Sequence, residues 1–99
     1  MSHIYNIHQA IRTIEALLLS DVASETSVKM TVISLEILLE AVKIPRPCFE
    51  LFLDRDFPST LAILAEKYKN LNVAFNVVVQ IFMEAWKTIR TKAAKVEFI

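Results

Sequence analysis

Residues 25–44 read ETSVKMTVISLEILLEAVKI, and Pro45-Arg46-Pro47 follows at once. Val28, Val32, Leu35, Leu39 and Val42 recur at spacings of three and four and form one stripe of a helix. Met30, Ile33, Ile37, Ala41 and Ile44 form a second stripe. Only Lys29, Glu36, Glu40 and Lys43 remain as a narrow polar strip. A helix that is apolar over most of its circumference packs against more than one neighbour. This segment therefore predicts an all-α protein, with a central helix from Glu25 to about Lys43. Ser24 suits its N-cap, and Glu25 and Lys29 stand four apart in the favourable order.

The flanking chain reads the same way. Ile4, Ile7, Ile11, Ile14 and Leu18 place a first helix over about His3 to Leu19, with Asn6, Gln9, Arg12 and Glu15 toward water. Ser20 and Asp21 mark its end. Pro45-Arg46-Pro47 is expected to end the second helix, and Cys48 to Leu53 to make one or two turns. Asp54-Arg55-Asp56 reads as a polar corner. Pro58 suits the first turn of a helix that runs to about Lys69, with Leu61, Leu64, Ala65 and Tyr68 inward. Asn70 is expected in the left-handed conformation and Asn72 as an N-cap. The last helix runs from Val73 to about Ala94, and Val77, Val78, Ile81, Phe82, Ala85, Trp86 and Ile89 form its apolar face. The reading is one all-helical domain over residues 1–99, with four main helices and one short helix in antiparallel hairpins.

Composition removes whole classes of function. The chain has 99 residues, none of them glycine, and 55% are hydrophobic. Glycine-rich phosphate loops, dinucleotide fingerprints, EF-hand turns and nucleophile elbows all need glycine. Eleven basic residues balance eleven acidic ones, which disfavours a general nucleic-acid binder. So much apolar surface on so small a chain predicts burial against another chain, or against more of a longer chain. Cys48 is the only cysteine, the first residues lack a signal-peptide layout, and no apolar run is long enough to span a membrane. An intracellular protein without a membrane partner is expected.

Two halves of the chain lie over one another. Residues 13–18 resemble residues 60–65 at an offset of 47. Val28, Met30, Val32, Ile33, Ile37 and Leu38 match Val73, Phe75, Val77, Val78, Phe82 and Met83 at an offset of 45. Each half, residues 1–44 and 47–95, is then a helix, a turn and a longer apolar helix. The layout resembles the helical-hairpin repeats of HEAT and armadillo proteins, whose period is about 40–47 residues. The armadillo turn glycine is missing, and the usual HEAT proline, aspartate and arginine positions are not cleanly repeated. The resemblance implies a short solenoid that binds other proteins along a groove. A closed bundle, including a death-domain-like one, fits the helix count as well.

Chemistry-bearing residues are sparse. His3 and His8 are five apart, on different sides of a helix, whereas helical metal pairs need spacings of three or four. No metal site or cofactor is expected. Cys48, between Pro47 and Phe49, reads as a small buried hydrophobe with no base beside it. Glu36 with Glu40, and Gln80 with Glu84, share helix faces, but no Glu-x-x-His sequence accompanies them. Asp54 and Asp56 flank Arg55 at a solvated corner. No nucleophile–base pattern emerges, and the chain is not expected to be an enzyme.

The aromatic residues carry the functional expectation. Phe49, Phe52 and Phe57 surround the proline-rich corner, and Phe82 and Trp86 lie on the last helix. Large aromatics anchor both cores and interfaces. These five are the candidate partner-binding residues of a protein–protein interaction module, an adaptor or an assembly subunit. Such a module would dock an apolar helix or peptide in a groove beside the second and last helices, the partner being another protein or a second copy. The alternative is a small homodimeric nucleic-acid-associated protein using Lys87, Arg90, Lys92 and Lys95. These cations also favour a helix C-terminus electrostatically.

Overall fold

The computed structural model describes residues 2–18 and 24–97, and side chains for 7–18, 24–53 and 55–92. Ser20, Asp21 and the apolar end at Phe98 and Ile99 lie outside the described residues, as do the side chains of His3, Ile4, Asn6, Asp54 and Lys95. Five α-helices follow in order: α1 (Ser2–Leu18), α2 (Glu25–Ala41), α3 (Pro45–Phe49), α4 (Phe57–Lys67) and α5 (Asn72–Glu97). One π-helical turn, Glu50–Asp54, extends α3. Among the described residues there is no strand.

The expected stripe of α1 faces the core: Ile11 and Ile14 are buried with Ala10, while Ile7 and Leu18 pack partly against them. Ser24 caps α2, its hydroxyl accepting from the Ser27 N–H at 3.1 Å. The first α2 stripe also lies inward, with Leu35 and Val42 enclosed and Val28, Val32 and Leu39 half-buried. The second does not. Of its residues only Ala41 is buried; Met30, Ile33, Ile37 and Ile44 are exposed, and Thr31, Ser34 and Leu38 complete the buried face. Thr31 tolerates burial because its hydroxyl donates to the Ser27 carbonyl oxygen at 2.9 Å and so stays satisfied.

Three boundaries differ from the sequence reading. Pro45-Arg46-Pro47 starts a helix as well as following one. Ile44 adopts an extended conformation (φ −104°, ψ 130°) before Pro45, as the proline ring requires. Pro45 then opens α3, where its missing N–H leaves nothing unpaired. Asn70 is not left-handed, since no described residue has positive φ. The chain turns there through a bond from the Leu71 N–H to the Tyr68 carbonyl oxygen at 2.9 Å, a four-residue turn that negative φ values satisfy. Asn72 is the first residue of α5 rather than its cap. The Phe75 N–H reaches the Leu71 carbonyl oxygen at 3.0 Å, which puts Leu71 in the cap position.

The hairpins sit side by side, with like helices parallel. At one end the Thr88 hydroxyl lies 2.7 Å from the Val42 carbonyl oxygen. At the other end Val28 and Val32 share a groove with Leu71 and Val73. Start therefore meets start and end meets end along α2 and α5. In the second layer, Arg55 Nη2 stands 3.3 Å from His8 Nδ1, and Lys67 Nζ donates to the Leu17 carbonyl oxygen at 2.7 Å. So α1 runs parallel to the segment that leads into and through α4. The thinnest dimension, 18 Å, suits two helix layers.

Burial also revises the repeat register. Offset 45 pairs Ile33, 59% exposed, with Val78, 1% exposed. A constant offset of 43 pairs Thr31, Leu35, Leu38 and Val42 with Ala74, Val78, Ile81 and Ala85, all buried. These residues meet Cys48, Leu51, Leu61, Leu64 and Tyr68 in a single core. The ion pairs given in the structure all lie within one helix or its end and are largely exposed. Exposed pairs of this kind contribute little to stability, so apolar packing holds the fold.

Candidate functional site

The structure joins three of the five candidate aromatics and separates their roles. Phe52 stands edge-on to Phe57, with ring centroids 6.0 Å apart, and edge-on to Phe82 at 6.1 Å. The row runs from core to surface. Phe57 is only 3% exposed, which corrects its assignment as a partner contact. It opens α4 four and seven residues ahead of Leu61 and Leu64, on the same inward stripe. Phe49 and Phe52 are half-buried. Phe82 is at the surface, and Trp86, one turn further on, is 63% exposed.

Phe82 and Trp86 belong to a longer apolar edge. Val79, Phe82, Met83 and Trp86 are all exposed, Phe75 is half-buried, and their spacing places them on one side of α5. On α2 the exposed Met30 and Ile37 make a corresponding edge. Among the described residues, each end of the two-hairpin row thus carries exposed apolar side chains, with Phe82 partly covered by Phe52.

A groove of about 580 Å³ lies between these edges, beside α2 and α5. Val28, Val32, Ile33, Leu71 and Val73 line it, and Glu25 and Lys29, 3.5 Å apart, stand at its rim. Phe82 and Trp86 are not part of it. Nine residues separate Val73 from Phe82, a rotation of ~180° about the helix axis. Leu71 and Val73 were absent from the candidate residues. Their signal was two apolar residues flanking Asn72 at a turn, a place where polar residues are usual.

Of the four basic candidates, the structure describes the side chains of Lys87, Arg90 and Lys92. Lys87 and Lys92 line a cleft of about 260 Å³ with Lys43, Pro45, Thr88 and Thr91. Lys43 holds Glu40 at 2.8 Å and Lys87 meets Glu84 at 3.5 Å. The Glu40 hydrogen bond and charge raise the Lys43 ammonium above its usual range. Arg90 and Lys92 are exposed and do not line the groove.

Cys48 is fully enclosed, and its thiol lies 3.7 Å from the Ala85 carbonyl oxygen. Burial pushes its pKa up to about 11, because an enclosed thiolate loses its hydration. At neutral pH the group is a protonated apolar filler. Among the described residues, no three His, Cys, Asp or Glu side chains gather to hold a metal ion. His8 sits instead beside Arg55.

Compared with protein-family models, curated proteins and solved structures, the chain matches none of them. Among the described residues, no helix is long and apolar enough to cross a membrane.

Proposed function

We propose that this protein is a non-enzymatic helical interaction module, an adaptor or assembly subunit that receives an apolar helix or peptide between α2 and α5. The observation that carries this reading is the groove walled by Val28, Val32, Ile33, Leu71 and Val73. A helix presenting residues at i, i+3, i+4 and i+7 has the shape such a groove accepts. The parallel run of α2 and α5 supports a short stack of the HEAT or armadillo kind. The lone, enclosed Cys48 supports a reducing intracellular setting.

The test is selection of helical peptides from a displayed library, followed by titration against variants. Ile33→Asp and Val73→Asp should abolish binding of the selected peptides while circular dichroism stays unchanged. Trp86→Ala should spare it. Undiminished binding to both aspartate variants would sink the groove reading.

A second reading, nucleic-acid association through Lys87, Arg90, Lys92 and Lys95, draws on the cleft where Lys87, Lys92 and Lys43 meet. The carboxylates already on Lys43 and Lys87 weigh against it. A steep salt dependence of DNA or RNA binding, flattened by Lys92→Gln, would favour it.

A further inference from the structure

The two open edges are related by the same register that relates the buried halves. Inside the chain, α2 turns Val28 and Val32 toward α5, and α5 answers with Val73 and Lys87 along the two clefts between them. Adding 43 to the α2 receiving positions Val28, Val32, Leu39 and Lys43 gives Leu71, Phe75, Phe82 and Trp86. Phe75, Phe82 and Trp86 lie on the outer α5 edge, whereas Leu71 precedes α5 and lines the inner groove. Subtracting 43 from Val73 and Gln80 gives Met30 and Ile37, the outer α2 edge. The α5 edge therefore occupies the positions that receive a helix. The α2 edge occupies the positions that are received.

We propose that copies of this chain stack head to tail, the outer edge of α5 in one protomer taking the outer edge of α2 in the next. This rests on the interaction-module reading and names a second copy as the partner. Three observations favour that occupant. The internal pairing of α2 with α5 supplies the geometry. Both edges carry exposed large apolar side chains where a finished end would be polar. The formal net charge is zero, so no long-range repulsion opposes association between copies. The contact joins two different surfaces, so it is heterologous and leaves one free edge at each end of every assembly.

The experiment blocks each edge separately and then mixes the products. Met30→Asp with Ile37→Asp blocks the α2 edge; Met83→Asp with Trp86→Asp blocks the α5 edge. All four residues are exposed, and circular dichroism verifies the fold of each double variant. Light scattering after size exclusion should show wild-type mass climbing with concentration without a plateau at the dimer. Each double variant alone should stay a monomer. Their equimolar mixture should reach twice the monomer mass, because each supplies the edge the other lacks. The Trp86 emission of the α2-blocked variant should shift to the blue in that mixture. A wild type that stays monomeric at every concentration overturns the proposal, as does a mixture that stays monomeric. The groove-lining Ile33 and Val73 are intact in both variants, so peptide docking and stacking fail independently.

Discussion

The Thr88 hydroxyl lies 2.7 Å from the carbonyl oxygen of Val42 and 2.9 Å from that of Glu84. It ties the C-terminal end of α2 to the body of the parallel α5 across 46 residues of sequence. Val42 closes α2, where terminal carbonyls lack helical partners, so the threonine satisfies a group the helix leaves open. Thr88→Val keeps the shape and removes the donor. Urea unfolding should show a loss of about 1–2 kcal/mol, and Thr88→Ser should restore most of it. A valine variant as stable as the wild type would mean that this contact does not hold the two helices together.

Phe57 and Trp86 should separate cleanly in a stability assay. Phe57 is enclosed, and its truncation to alanine should cost about 3–5 kcal/mol. Trp86 is mostly exposed, and Trp86→Ala should change the monomer by no more than about 0.5 kcal/mol. Denaturant midpoints at low protein concentration measure both. A large loss from Trp86→Ala under those conditions would mean that the indole is part of the monomer's packing.

The pH dependence of stability should carry a signature of Cys48. Its folded pKa is raised to about 11, above the ordinary thiol value, so folding favours the protonated form. The contribution is complete below the unfolded pKa and is lost as pH rises toward 11. Lysines and tyrosines also titrate there, so the comparison is with Cys48→Ala. The wild type should lose more stability than the variant between pH 9 and pH 11. Parallel curves would place the thiol in a wetter setting. Alkylation of the native protein at neutral pH should be slow for the same reason.

Much of the fold was legible in residue spacing. The stripe Ile7, Ile11, Ile14 and Leu18, the Ser24 cap and the inward Leu61, Leu64 and Tyr68 follow from helical periodicity and local capping chemistry. What periodicity cannot say is which neighbour a stripe meets. Met30 and Ile37 have the pattern of a buried face, yet both are exposed among the described residues. Thr31 and Ser34 are buried in their place because helix packing selects a side, and a hydroxyl can be satisfied within its own helix. Phe57 was misplaced because its role depends on where α4 begins, one residue before Pro58. The groove beside α2 and α5 is walled in part by Leu71 and Val73, residues joined to α2 only by tertiary folding.

The absence of glycine has a consequence for mutagenesis. No described residue has a positive φ, so outside the prolines none of them is held for a left-handed backbone. Alanine scanning of such a chain carries no penalty from a residue forced into the left-handed region. Each loss on the scan then measures what a side chain touches. Variants that leave dilute protein unchanged but lower its yield or its assembly in concentrated solution would trace surfaces used between molecules, separately from those used within one.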